Sequence, residues 1–522
     1  MLFSCYYLNL RTSIFFAIEM LWYKLNKYLN RYPARTLYST KSDTIFALSS
    51  GYGKCGVAVI RISGSTSGTA FKLMTGLNVL PKPRVATLRS IKHPISGETI
   101  DKGLILWFPG PKSFTGEDSL EFQVHGGIAV INSVLKALGT IRNLRLAEPG
   151  EFTRRAFFNG KLDLTEVEGL ADLLQAETEA QRKQAFLQSQ GALSNLYNKW
   201  KHILIQSVAH IEAHIDFEET ETLEVNILTS VRQNIESLAE DIEKHLLDGR
   251  KGEILRNGVR TIILGEPNVG KSSLLNLLCQ RPAAIVTPIE GTTRDVLEVT
   301  LNIGGYPLVL ADTAGLRANT LDLVEKEGIN RALQLYEKSD FVILVLDAKK
   351  YSEWKEKAAD GNFNRYIIDN VHKLKLKKLI EPRYVDNNVD FVFNKPCLIV
   401  LNKSDLWTEN NIANNENCIK ISCITENGID ELIEAVTHKL KELCGEPSSE
   451  HPSMNQIRHR QHLTNCLKHL KLFLAKNNSQ NHDLVLMAEY LRKALRCLGK
   501  LVGSVTTDDL LDVIFKDFCI GK

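Results

Sequence analysis

The sequence predicts a multidomain α/β protein: an α+β N-terminal domain, a helical bundle domain, and an α/β domain with a mainly parallel sheet inserted into that bundle. Three observations predict it. At 522 residues the chain is too long for one ordinary core. Its apolar pattern changes from short β-rich runs to helical stripes, then to alternating strands and helices, then back to stripes. Near the middle, a β-branched run leads into Gly265-Glu-Pro-Asn-Val-Gly270-Lys271-Ser272, which opens a helix.

The first 42 residues stand apart. They carry Arg11, Lys24, Lys27, Arg31, Arg35 and Lys41 against Glu19, a charge of +5 that leaves about −2 on the rest of a chain whose total is +3. A body near neutrality excludes a protein that coats nucleic acid through global basic charge, though local basic patches stay open. The acid-poor leader, dotted with aromatic and hydroxyl residues, reads as a mitochondrial transit peptide, residues 1–42, with processing near Arg35-Thr-Leu-Tyr38-Ser39. The matrix is the expected location. The competing reading is a membrane anchor through Ser13-Ile-Phe-Phe-Ala-Ile18. Glu19 and Lys24 break that run well short of the roughly 18–20 residues a span requires. No later segment is long and apolar enough, so no stable membrane insertion is expected. The ten cysteines include no CxxC and no Cys/His cluster, which argues against a disulfide scaffold or structural zinc.

Residues 43–161 read as the N-terminal domain. Strands are predicted at Thr44–Leu48, Gly56–Ile62, Gly103–Phe108 and Leu120–Val124, and helices at Ala70–Met74 and Ile128–Leu138. Residues 162–255 form the first part of the helical domain. Val167, Leu170, Leu173 and Leu174, then Ile203, Val208, Ile211 and Ile215, then Val231, Ile235, Leu238 and Ile242 recur at helical spacing and read as bundle core. Residues 446–522 complete that domain. Between them, residues 256–445 alternate strands at Arg260–Leu264, Leu308–Asp312, Phe341–Asp347 and Cys397–Asn402 with helices, which implies a parallel sheet. Residues 349–395 are polar, asparagine-rich and long for a connection. They read as a solvated insertion, with an RNA-contacting patch at Lys373-Leu-Lys-Leu-Lys-Lys378 as the alternative.

Three strings in the inserted domain carry chemistry. In Gly265–Ser272 the glycines turn backbone N–H groups inward, and with the following helix start at Ser273 they bind phosphate oxygens. Gly265, Asn268, Val269 and Gly270 form the loop. Lys271 should reach the β- and γ-phosphates, and Ser272 should ligate Mg²⁺. Asp312-Thr-Ala-Gly315 comes next: Asp312 can hold the Mg²⁺ shell and Gly315 can sense a γ-phosphate. In Asn402-Lys403-Ser-Asp405, the Asp405 carboxylate can accept from guanine N1–H and its 2-amino group, a pair that adenine lacks. Ser422 and Cys423 would support the base through the backbone. Thr293 is the expected switch threonine on Mg²⁺. Together these define a Ras-like P-loop GTPase domain, with GTP as substrate. Leu316 stands where Ras-type enzymes place a water-orienting glutamine, so water is oriented otherwise. Asn268 could ligate a monovalent cation or only brace the loop; chemistry alone leaves both open.

Four strings outside that domain resemble the MnmE/TrmE family of tRNA-uridine-modifying GTPases. They are Gly56-Val-Ala-Val-Ile-Arg61-Ile-Ser-Gly64, Trp107-Phe-Pro-Gly-Pro-Lys-Ser-Phe-Thr-Gly-Glu-Asp-Ser-Leu-Glu121, Pro149-Gly-Glu-Phe-Thr-Arg-Arg-Ala-Phe-Phe-Asn-Gly-Lys161-Leu-Asp-Leu, and Cys519-Ile520-Gly521-Lys522. The resemblance spans about Asp43 to Lys522, apart from 349–395. It implies an N-terminal domain that forms a homodimer and binds 5,10-methylene- or 5-formyl-tetrahydrofolate near Arg61, Glu121, Lys161 and Lys522. It implies K⁺-stimulated hydrolysis activated by G-domain dimerisation, with Asn268, Thr287, Ile289 and Thr292 as K⁺ positions. It implies Glu325 as the water-positioning catalytic residue, beside Lys271. Here the spacing is one residue longer than usual, so Glu327 is a second candidate. Gly51-Tyr-Gly-Lys-Cys55 is less glycine-rich than the family loop. The family works with an FAD-dependent MnmG-type subunit on C5 of the wobble uridine, which for a mitochondrial member means mitochondrial tRNA. Cys519 could act as nucleophile or acid/base near the folate, or be a packed thiol ending the last helix. Two other classes make different demands of a sequence. A ribosome-assembly GTPase predicts a basic RNA-binding module, and a membrane-remodelling GTPase predicts a lipid-binding segment. Neither is evident in the sequence.

Overall fold

The computed structural model describes residues 43–216, 221–248, 250–280, 299–310, 333–358, 362–374, 376–385, 388–407, 418–477, 483–504, 514–515, 518 and 521. The leader, Thr287, Ile289, Thr292, Thr293, Asp312, Gly315, Glu325, Glu327, Cys519 and Lys522 lie outside the described residues. The chain divides into two compact units: Met1–Ala171 with Gln188–Leu247 and Arg458–Lys522, and Asp172–Leu187 with Asp248–Ile457.

The first unit holds a six-stranded sheet built from β1 (Thr44–Leu48), β2 (Cys55–Ser63), β3 (Thr87–Lys92), β4 (Thr99–Phe108), β5 (Ser119–Gly126) and β6 (Leu144–Leu146). Its order is β3-β4-β5-β2-β1-β6, antiparallel throughout except for the β1–β6 pair. Strand alternation decides what each face carries. Ala58, Ile60 and Ile62 of β2 and Leu120, Phe122 and Val124 of β5 point to the core, where helices Ser67–Thr75 and Ile128–Gly139 add Phe71, Met74, Ile131, Val134 and Leu138. Arg61 and Glu121 therefore share the opposite face, and they are direct cross-strand partners.

Of the stripes read as bundle core, helices Ala192–Asp216 and Glu221–Leu246 bury Val208, Ile211, Val231, Ile235, Leu238 and Ile242, and helix Leu164–Gln175 buries Val167; Leu174, at the end of that helix, is instead exposed. One buried ionic cluster joins chain segments far apart. The Glu168 carboxylate accepts from Arg458 Nε at 3.0 Å and Arg458 Nη2 at 3.0 Å, and it lies 2.8 Å from His459 Nε2. Burial alone would raise the Glu168 carboxyl, but His459 and Arg458 hold it below the ordinary carboxylate range.

The second unit holds β7 (Val259–Leu264), β8 (Val299–Ile303), β9 (Tyr306–Leu310), β10 (Phe341–Asp347), β11 (Ile380–Val385), β12 (Asn388–Phe393), β13 (Cys397–Asn402) and β14 (Cys418–Lys420). The main sheet runs β14-β13-β10-β7-β9-β8 and is parallel except at β8–β9. Every residue of β10 and β13 is buried, as a parallel sheet covered on both faces demands. β11 and β12 form a separate antiparallel hairpin.

The sequence boundaries shift, and residues 248–255, read with the helical domain, group with the second unit. Residues 172–187, placed by sequence in the helical domain, group with the second unit. Ala180 N–H donates to the Gly305 carbonyl at 3.0 Å, and Arg256 Nε donates to Asp172 at 2.7 Å. Residues 446–457 group there too, and Asn455 Nδ2 donates to Asp172 at 2.5 Å. The segment 349–395 is not solvated throughout. Helix Phe363–Lys373 buries Phe363, Tyr366, Ile367, Ile368, Asn370 and Val371 in a core shared with β10 and β13. Its apolar residues follow a helical period inside a polar composition, so packing here overrides the compositional signal. Among the described residues, no helix is long and apolar enough to cross a membrane.

Candidate functional site

The phosphate loop follows β7 and ends at helix Lys271–Gln280. Asn268 sits exposed at φ 63°. Gly270 has φ 98°, and a side chain there would meet Asn402 Nδ2 at 2.1 Å, so close approach as well as backbone angle requires glycine. Lys271 Nζ bridges the loop, donating to the carbonyls of Gly265 at 2.9 Å and Glu266 at 2.7 Å. Burial lowers the Lys271 ammonium from its ordinary value, with the Glu266 carboxylate opposing. A phosphate would offer this half-buried cation a stronger partner than neutral carbonyls. Ser272 is half-buried and Ser273 exposed, both in the first turn of the helix that points its N-terminus at the loop.

The second loop leaves β13. Asn402 is 2% exposed. Its Nδ2 donates to the Val269 carbonyl at 2.9 Å, and its Oδ1 accepts from Cys423 N–H at 3.2 Å. One amide thus ties the phosphate loop to the loop after β14. Lys403, at φ 65°, donates to Asp347 Oδ2 at 2.7 Å. Asp347 also caps helix Ala348–Lys357 by accepting from Lys349 N–H at 3.0 Å. The Ser422 hydroxyl donates to Asp405 Oδ1 at 2.6 Å while its oxygen accepts from Thr425 N–H at 3.2 Å. Asp405 is otherwise exposed, so its second oxygen can receive a ligand's N–H groups. Burial raises the Cys423 thiol, which leaves the backbone as that residue's contribution.

In the first unit, Arg61 Nε donates to Glu121 Oε1 at 2.9 Å, with the two side chains 19% and 16% exposed. The guanidinium lies over Phe114 at 5.4 Å and near Phe152 at 5.8 Å. Among the described residues, the second Glu121 oxygen and the terminal nitrogens of Arg61 make no hydrogen bond, so an outside ligand could meet both. Exposed Lys161 lies beside Gly116. The last described residue joins this end of the sheet: the Ser49 hydroxyl donates to the Gly521 carbonyl at 2.9 Å. Gly521 has φ 97°, and a side chain there would stand 2.1 Å from the Leu48 carbonyl oxygen, so only glycine fits. Leu48 pairs with Ile60, the neighbour of Arg61.

The structure thus brings together Val269, Gly270, Asn402 and Cys423, and separately Arg61 with Glu121. Sequence reasoning missed Glu266, Asp347 and Ser49. Glu266 fills a position of the loop pattern that admits any residue, and Asp347 and Ser49 belong to no motif. Two lysines of the basic run, Lys373 and Lys378, are also engaged. Lys373 lies 3.5 Å from Glu266, Lys378 bonds Glu337 at 2.9 Å, and nearby Lys395 donates to the carbonyls of Tyr336 and Ser339, each at 2.6 Å.

A phosphate loop after the first strand of the second unit, a mainly parallel core and an asparagine-braced base loop define the P-loop G-domain class, here carried within a larger chain. The chain belongs to the MnmE/TrmE family. The family description "GTP-binding protein TrmE N-terminus" matches residues 44–161, and "MnmE helical domain" matches residues 164–519. The mitochondrial 5-taurinomethyluridine-tRNA synthase subunit GTPB3 of Danio rerio is 48% identical over 490 residues, 92% of this chain and 93% of the relative. The mitochondrial tRNA modification GTPase gtpbp3 of Dictyostelium discoideum is 41% identical over 515 residues, 95% and 98% of the two chains. The tRNA modification GTPase MnmE of Parvibaculum lavamentivorans is 44% identical over 480 residues, 92% and 100%.

Proposed function

We propose that this chain is a mitochondrial, GTP-hydrolysing tRNA-modification enzyme of the matrix. With an FAD-dependent MnmG-type subunit it installs an aminomethyl-type group at C5 of the wobble uridine of mitochondrial tRNAs. The observation that carries the reading is the Asn402 brace beside the Ser422–Asp405 seat, in a chain similar over most of its length to relatives named for tRNA modification. The phosphate loop and helix start bind the triphosphate. Lys271 exchanges its two carbonyl partners for phosphate oxygens, and Asp405 selects guanine. Ser272 and Thr293 would hold Mg²⁺, an oxygen-donor set that fits a hard cation. Asn268, Thr287, Ile289 and Thr292 would hold K⁺; the exposed amide of Asn268 at φ 63° fits a ligand on the loop's rim. These cations supply positive charge beside the β- and γ-phosphates. Glu325 orients the attacking water.

Arg61, Glu121, Lys161 and Lys522 bind the tetrahydrofolate in a homodimer. The half-buried Arg61–Glu121 pair fits a ligand that carries both a carboxylate tail and ring N–H donors. The folate supplies the one-carbon unit, and Cys519 serves the chemistry nearby.

Nucleoside analysis of mitochondrial tRNA from a deletion strain tests the reading. The C5 side chain at the wobble uridine is lost; an unchanged profile sinks it. Hydrolysis is faster in K⁺ than in Na⁺, and Asn268→Ala removes the difference. Equal rates in the two salts for the unaltered protein would contradict the K⁺ assignment.

A further inference from the structure

We propose that Glu266 is a positioning residue of the phosphate loop, and that the segment between β10 and β13 supplies Lys373 to set it. This deepens the nucleotide reading of the same loop and rests on it. Glu266 contributes two groups, each with its own partners. Its carbonyl accepts from Lys271 Nζ at 2.7 Å, inside the loop. Its carboxylate, 17% exposed, faces Lys350 Nζ at 2.6 Å and Lys373 Nζ at 3.5 Å. Lys350 stands in the first turn of helix Ala348–Lys357, and Lys373 ends helix Phe363–Lys373.

A carboxylate within a loop that binds triphosphate is a liability, because like charges repel. Two ammonium groups, Lys350 and Lys373, offset that charge.

The helix that carries Lys373 is fixed by aromatic packing. Tyr351 meets Phe363 at 5.0 Å, Tyr366 at 5.1 Å and Trp407 at 5.8 Å between ring centroids. Trp407 follows Asp405 by two residues, so the inserted helix is anchored beside the base loop while its last turn reaches the phosphate loop. A segment that composition marks as a solvated excursion becomes a spacer between the two nucleotide loops.

The test is a double-mutant cycle in the full-length protein, read by titration with fluorescent GTP and GDP analogues at low and high salt. Lys373→Glu is expected to weaken GTP-analogue binding about three- to tenfold at low salt, with the loss shrinking as salt screens it. In a Glu266→Gln background the same change should move binding by less than about twofold. Lys373→Ala should act in the same direction but less. Lys373 is 62% exposed, so these variants should melt as the wild type does without nucleotide. An equal loss in both backgrounds would overturn the proposal, since Lys373 would then act directly on the phosphates. No loss at all would overturn it too. Wild-type protein that binds neither analogue would overturn the nucleotide reading, and this inference with it.

Discussion

Replacing Asn402 with alanine cuts two hydrogen bonds at once and strands a partner at each end. The Val269 carbonyl, in a residue 2% exposed, loses its donor. The Cys423 N–H, which is only half-buried, loses its acceptor. An unpaired buried group costs about 1–3 kcal/mol; Val269 belongs near the middle of that range and Cys423, which water can reach, at its lower end. The sum is about 3 kcal/mol, and if all of it falls on the binding-ready loop arrangement the apparent affinity for GDP drops about a hundredfold. Titration with fluorescent GDP and GTP analogues reads the affinity, and thermal unfolding with and without nucleotide reads the stability. Asn402→Asp gives a second arm. It keeps an acceptor for Cys423 but sets an oxygen against the Val269 carbonyl and buries a charge, so it should bind no better than alanine. Gly270→Ala should fall in the same direction, because its new methyl displaces the Asn402 amide. If Asn402→Ala binds within about threefold of wild type, or if aspartate outperforms alanine, the brace is not what holds the loops.

Gly521→Ala should undock the C-terminal segment from β1, since it adds a contact at 2.1 Å to the roughly 1–2 kcal/mol of left-handed backbone strain. Calorimetric titration should then show weaker tetrahydrofolate binding with unchanged GDP affinity; retained folate affinity would argue against the docked segment as part of that site. Burial, aided by Arg458, Lys500 and His459, pushes the His462 ring down to about 4 from an ordinary value of 6.5. The unfolded chain therefore takes up this proton first, and stability should fall as pH drops from about 6.5 to 4. Glu168, held low in the fold, adds its loss at lower pH still. His462→Gln should flatten the upper part of that decline in thermal unfolding; an identical pH profile would remove His462 from the account.

Much of this was legible because the signals are local. A β-branched strand, a glycine loop and a helix start are contiguous, so the phosphate loop announces itself. β10 and β13 match their apolar runs residue for residue, because a strand covered on both faces leaves no polar interruption. The rest depends on partners distant in sequence. β8 alternates only partly and sits at a sheet edge, so its run was not distinguished from a loop. Residues 172–187 read as one more bundle segment; what assigns them is Gly305 and Arg256, far along the chain. The helix Phe363–Lys373 is hidden by the polar segment around it, while its own Phe363, Tyr366, Ile367, Ile368 and Val371 decide the packing. In the site, Asn402 is legible in the sequence as a member of a guanine motif, and the structure adds a bracing role for its amide. It spans two loops, and only coordinates show that.

The bond between Ser49 and Gly521 closes a loop of 472 residues. So long a closure imposes an order on synthesis. The N-terminal sheet has all six strands by residue 146 and can fold early, while the ribosome still has most of the chain to make. Its β1–β2 end stays without its last neighbour until Gly521 has been translated and released. Every chain shorter than this thus carries a formed sheet whose β1 end lacks that neighbour, and whatever needs the contact arises only once Gly521 has been made.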